Sequence, residues 1–272
     1  MEFTIQPELC RKLRAPIKRM FPNKTASFNY LLTTNTAKAV KGLKFGALNG
    51  IMYLAPAKTL SEQLNLCGSE TGECFRACIA NTGRNGLPDG QRARAARSIL
   101  LLQSPAVFRQ VLMLEISRLQ KRADRLELQL GLRLNGSSDI AWENFAGLNW
   151  IADISTLFPH AKLYDYTKHF GRCLERYRTA HAMQNYHLTF SWSGGNLSLC
   201  NRIAPDVNIA VPFAGAMPET FLDRPVITGD DHDMRYLDPS GVIVGLKYKL
   251  ARRKQGGRML RSVEVPNFVV QL

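Results

Sequence analysis

The chain has 272 residues, 45% hydrophobic and 21% charged, which excludes wholesale disorder and permits one large core or two small ones. Lys plus Arg number 36 against 22 Asp plus Glu, a formal charge of +14 that suggests a polyanionic partner, nucleic acid or nucleotide, without fixing any chemistry. There is no apolar run long enough for a transmembrane helix, no secretory signal pattern at the start, and too few cysteines, six, for a disulfide scaffold. A reducing cytoplasm is therefore expected, with no membrane contact and with thiols that are free or metal-bound.

Residues 1–28 form a basic arm broken by Pro16 and Pro22. Its cations, among them Arg11, Lys12 and Arg14, either touch nucleic acid or are simply solvated. LNGIMYLAPA (48–57) reads as a buried strand, and a loop rich in Cys and Gly follows over 67–90. A helical stretch covers about 91–128, with Ile99, Leu102, Phe108, Leu112, Ile116 and Leu119 at helical spacing. Ser104-Pro105 divides it, because proline suits the first turn of a new helix. Further strands are predicted at 128–136, 161–168, 185–192, 207–213, 225–229 and 241–249, with helical or loop segments around 144–157 and 170–183. Strands alternating with helices predict an α/β fold of parallel βαβ units, a partial or complete parallel (β/α) barrel. That single domain spans 29–250, and a basic tail, 251–272, ends as an edge strand or docking segment.

In such folds, sites form at the C-terminal ends of the strands. Polar residues recur there: Asn135, Ser137, Ser138 and Asp139; Asp165, Thr167 and Lys168; Ser191 and Ser193; Asp230, Asp231 and Asp233; Lys247 and Lys249. One such group would be a cap or a turn. Their repetition at successive strands predicts a functional cleft. Asp139, Asp165 and Lys168 are the candidate catalytic groups, and Asn135, Ser138, Ser191 and Asp230 the candidate cofactor- or substrate-binding groups. The GDDHD run at 229–233 either binds Mg²⁺ through hard oxygens or holds Arg224 and Arg235. SGGN (193–196) is either an anion-binding nest or a tight turn. Arg92, Arg94 and Arg97 open the long helix and either grip phosphate as forks or pair with nearby carboxylates.

Cys67, Cys74 and Cys78 lie in CGSETGECFRAC. Thiolates this close can hold an iron–sulfur cluster or, with a fourth ligand, zinc. The bland alternative is that Cys74 and Cys78, one helical turn apart, face the core. Cys10, Cys173 and Cys200 read as isolated buried thiols.

NGIMYLAPA, CGSETGECFRACIANTGR, RLNGSSDIAWEN, YDYTK, YHLTFS and PVITGDDHDMRYLDPSGVIVGLKYK together resemble a family of phage and mobile-element proteins, a domain of unknown function, over about 30–250. A broader likeness is to radical S-adenosylmethionine enzymes, whose partial barrel carries a three-cysteine loop after the first strand. That likeness implies a [4Fe–4S] cluster on Cys67, Cys74 and Cys78, with S-adenosylmethionine as cofactor. The gaps here are six and three residues, where those enzymes have three and two, and NGSSD stands where they carry a GGE-like motif. Two other classes stay open: a non-enzymatic DNA- or RNA-binding protein with structural or zinc-bound cysteines, and a metal-dependent phosphodiesterase or nuclease using Asp139, Asp165 and Asp230.

Overall fold

The computed structural model describes residues 30–57, 59–60, 65–81, 86–178, 185–252, 259–261 and 264–271. The predicted basic arm lies outside the described residues. Nine strands form one sheet: β1 Leu32–Thr33, β2 Ala47–Met52, β3 Gln129–Arg133, β4 Lys162–Thr167, β5 Tyr186–Ser191, β6 Ile209–Phe213, β7 Thr220–Phe221, β8 Arg224–Thr228 and β9 Ile243–Lys247. Their spatial order is β1-β2-β3-β4-β5-β6-β9-β8-β7. All ladders from β2 to β8 are parallel, and the two-residue edge strands pair antiparallel. Seven helices are described: α1 Ala37–Lys41, α2 Gly72–Arg76, α3 Pro88–Gln103, α4 Pro105–Arg125, α5 Trp150–Leu157, α6 Phe170–Arg178 and α7 Leu197–Arg202.

The local chemistry explains most of these boundaries. Thr36, Thr71 and Asn149 each accept a backbone N–H of the following turn and start α1, α2 and α5. Pro105 sits at the first turn of α4, so the long helical stretch is indeed two helices. Leu130 and Leu132 of β3 face the helices, and Arg133 faces the other way, as strand alternation requires.

Helices α3 to α7 share one face of the sheet. Leu48 and Met52 of β2, Leu163 of β4, Leu188 and Phe190 of β5 and Val211 of β6 pack in one cluster with Leu112 and Ile116 of α4, Trp150 and Ile154 of α5, Cys173 of α6 and Cys200 of α7. Parallel strands laid down in sequence with same-handed crossovers put the connecting helices on one side. Buried Glu115 of α4 accepts the backbone N–H groups of Leu31 and Leu32 at 2.8–2.9 Å and so anchors the first edge strand.

The expected barrel is not closed. Among the described residues, β1 and β7 are the two ends of the sheet and do not pair with each other. After β6 the chain makes the β7–β8 hairpin, whose Leu222 and Asp223 both have positive φ, and then returns to insert β9 between β6 and β8. The second face of the sheet is covered by α1, where Ala39 packs on Ile51 and Tyr53, and by the segment 233–238.

The tail does dock. Val270 pairs with Phe213, exchanging hydrogen bonds with Ala214 and Pro212, and Glu73 of α2 accepts the backbone N–H groups of Asn267 and Phe268. Gly194 has φ +86° and lies directly under the Asn267 backbone, so no side chain fits between them. The tail thereby ties the helix that carries Cys74 to the ends of β5 and β6.

Candidate functional site

A cleft of about 330 Å³ opens over the C-terminal ends of the parallel strands. Its wall includes Cys67, Cys74 and Cys78, the 135–139 loop after β3, Lys168 after β4, Ser191 of β5, and Lys247 and Lys249 at the end of β9. On the second face it reaches Arg133, Tyr166 and Asp233.

The three cysteines line the same cleft. Cys67 accepts the N–H of Ala57 at 3.1 Å, and Cys78 accepts a backbone hydrogen bond from Ala80. Burial pushes the Cys67 thiol up to about 12 and the Cys78 thiol up to about 11, and each is raised further by a neighbouring cysteine of the trio. Without a bound electrophile both thiols are therefore neutral at pH 7. Lys168 sits beside all three. Burial opposes its charge, but Cys74 and Asp139, with Cys67 and Cys78 when they are thiolates, outweigh that and raise its pKa above the ordinary value. Among the described residues no three His, Cys, Asp or Glu side chains stand close enough to share a single metal ion. Two of the thiols accept backbone N–H groups, the kind of hydrogen bond that tunes ligand sulfurs in iron–sulfur sites.

Asn135 organises the NGSSD loop. Its Oδ1 accepts from Ser138 Oγ, Ile140 N and Trp142 Nε1 at 2.9–3.1 Å, and its Nδ2 donates to Ile140 O and Asp165 Oδ2. Asp139 accepts the backbone N–H of Lys168 at 2.7 Å and pairs with Arg172, which also holds Glu143. Asp165, 1% exposed, accepts the N–H of Asn135 at 2.7 Å and does not line the cleft. Asp230 is at the rim, where it accepts the N–H of Lys247 and pairs with Lys249 at 3.6 Å. The three carboxylates of the nuclease reading are thus in three separate hydrogen-bond networks. SGGN forms a turn in which Asn196 Oδ1 accepts the N–H of Ser193.

The arginines of α3 stand elsewhere. Arg92 pairs with Asp89, buried Arg94 donates to Ala80 O at 3.0 Å, and Arg97 donates to Tyr30 O at 2.9 Å. The GDDHD carboxylates are divided as well. Asp233 holds Arg133 at 2.8 Å and Lys38 at 3.3 Å, Arg235 pairs with Asp238, and Arg224 donates to the carbonyls of Ile203, Ala204 and Val207. The buried Arg133–Asp233 pair escaped the sequence reading. Its one signal was an arginine among the alternating leucines of β3, which implies a buried partner on the opposite face.

Burial raises the Asp165 carboxyl to about 7. A folded-state value above the ordinary 3.8 means that its contribution to stability is full below about pH 4 and is lost as pH rises to about 7. The Asp165→Asn variant is expected to lose roughly 2–4 kcal/mol less stability than the wild type between pH 4 and pH 8. Urea unfolding across that range measures the difference. The slope is the readout, since the new amide also faces Asn135 Nδ2 at every pH. Parallel slopes in the two proteins would refute the assignment.

Fold and site together define the class: an α/β protein with an open, mostly parallel sheet and a cysteine-lined cleft over its strand ends. The chain belongs to the gene product 88 family, a phage-type family whose profile matches residues 29–261. Comparison with curated proteins and with solved structures returned no match. Among the described residues no helix is long and apolar enough to cross a membrane.

Proposed function

We propose that this protein is a radical-S-adenosylmethionine-like enzyme that uses Cys67, Cys74 and Cys78 to hold an iron–sulfur cluster and acts on nucleic acid or nucleotides. The observation that supports the reading is that Cys67, Cys74, Cys78 and Lys168 all line one cleft over the strand ends of a parallel sheet. Three thiolates leave one iron of a cluster without a protein ligand, and a bound cluster would supply one-electron reduction of the cofactor there. The protein groups have positioning roles. Lys168 offers a cation beside the thiols for an anionic group of cofactor or substrate. Asp139, held by Arg172, fixes the backbone from which Lys168 projects. Ser137 donates to Leu54 O at 2.6 Å, and with Ser138 it shapes the wall opposite Lys168.

The test is the metal and sulfide content of anaerobically reconstituted protein beside a Cys67/Cys74/Cys78→Ala triple variant. About four iron and four sulfide per chain, absent from the variant, is the expected result. Iron-free wild-type protein from a reconstitution that loads a control would overturn the reading. A zinc content near one per chain would do the same and would favour the non-enzymatic nucleic-acid-binding alternative, which rests on the +14 charge.

A further inference from the structure

The sequence directs attention to the arginines of α3 as the phosphate contacts, and two of them are turned inward onto carbonyl groups. The exposed cations beside the cleft are lysines at the ends of α1 and β9. Lys41 at the end of α1 reaches Asp230 O, and Lys249 reaches the Asp230 carboxylate. Lys247, at the same strand end, gives its backbone N–H to that carboxylate and lines the cleft, so three lysines are gathered about Asp230 at the mouth of the cleft. All three are exposed. The next carboxylate inward, Asp233, is already neutralised by Arg133 and Lys38. Of the other charged groups lining the cleft, Lys41, Lys168, Lys247 and Lys249 outnumber Asp139, Asp230 and Glu70, so the rim keeps a positive excess.

An exposed aromatic follows Lys41 by four residues, in the turn after α1. Phe45 is 46% exposed, and its ring meets the His232 ring edge-on at 4.8 Å, with His232 itself lining the cleft. An aromatic platform flanked by lysines is the arrangement that binds single strands, with bases stacked on the ring and phosphates on the cations. A duplex would keep its bases away from the cleft, because a base must leave the stack to enter an enclosed site. A cavity of about 330 Å³ is at the small end of ligand pockets and suits one nucleoside-sized group.

We infer that Lys41, Lys247, Lys249 and Phe45 form a track for single-stranded nucleic acid, which lays one nucleotide over the cleft. The inference deepens the proposed function by naming its substrate class, and it rests on that reading only for the chemistry that follows binding. The track lies outside the cysteine cluster, so binding is measurable with or without a loaded site.

The experiment is fluorescence anisotropy of a labelled single-stranded oligonucleotide of mixed sequence, as DNA and as RNA, with the matching duplex, over a series of salt concentrations. Wild-type protein and the Cys67/Cys74/Cys78→Ala variant are both expected to bind the single strand more tightly than the duplex. Phe45→Ala is expected to weaken single-strand binding by roughly tenfold. The Lys41/Lys247/Lys249→Gln variant is expected to reduce the slope of log affinity against log salt by roughly 2, as three phosphate contacts are lost. A Lys121→Gln/Arg125→Gln control on the exposed side of α4 is expected to leave affinity unchanged. Equal affinity for duplex, no binding at low salt, or rim variants that bind like the wild type would each overturn the inference. Single-strand binding in a protein that never loads iron would leave the track standing and remove only the proposed chemistry.

Discussion

Replacing Asp233 with alanine is expected to lower the unfolding free energy by about 3–5 kcal/mol, the largest loss from any single charged residue of the sheet's second face. Asp233 is 3% exposed and holds Arg133 by both oxygens, at 2.8 and 3.0 Å. Lys38 and the Tyr164 hydroxyl also reach it, and the Arg133 guanidinium lies 4.4 Å from the centre of the Tyr166 ring. Removal of the carboxylate strands Arg133, itself 6% exposed, without a counter-charge. Urea denaturation measures the loss, and a change below about 1 kcal/mol would show that the pair is not coupled to folding. The double variant Arg133→Met/Asp233→Leu is expected to recover much of it, since an apolar pair of similar volume avoids the cost of desolvating two charges.

The same residue predicts a pH response. Burial alone would raise its carboxyl, but Arg133 and Lys38 outweigh burial and hold it well below the carboxylate range. A lowered folded-state value contributes stability that is present above about pH 4 and disappears as pH falls below that. Acid sensitivity below pH 4 is therefore expected to be weaker in Asp233→Ala than in the wild type.

Asn135→Ala is expected to cost about 2–4 kcal/mol and to disorder the loop that walls the cleft. The asparagine is 1% exposed and satisfies a set of groups no single neighbour could replace: the Ser138 hydroxyl, the Ile140 N–H and carbonyl, the Trp142 indole and the Asp165 carboxyl. Trp142 is fully buried against Trp150 and Phe145, with ring centres 5.1 and 5.4 Å apart, so loosening the loop also loosens an aromatic cluster beneath it. Near-ultraviolet circular dichroism together with denaturation detects both effects. Asn135→Asp is a sharper probe, because it keeps the shape and places a second carboxylate against Asp165. That variant is expected to lose more stability than the wild type between pH 5, where a proton can be shared, and pH 8. Equal stability of Asn135→Ala and wild type would mean that water replaces these bonds freely and that the loop is not held by them.

Local pattern determined much of this protein. The seven longer strands were legible because alternating or continuous apolar residues bounded by Gly, Pro and Asn admit few other readings. Ser104-Pro105 marked the helix boundary because proline cannot donate inside a helix but suits its first turn. The collection of polar strand ends on one side followed from parallel strands, and Cys67, Cys74, Cys78, Ser138 and Lys168 do line one cleft. What the tertiary structure decided were the relations across distance. No local signal says that β9 enters between β6 and β8, since that depends on which edge remains open when the hairpin has formed. Nor does spacing reveal that Asp233 turns to Arg133, 100 residues away, while Asp165 turns to Asn135 and Asp230 to the rim. A charged side chain takes the partner that satisfies it in the packed interior, and sequence proximity does not choose that partner. For that reason Arg94 and Arg97 were drawn inward to buried carbonyls, while the exposed lysines at the ends of α1 and β9 came to flank the cleft.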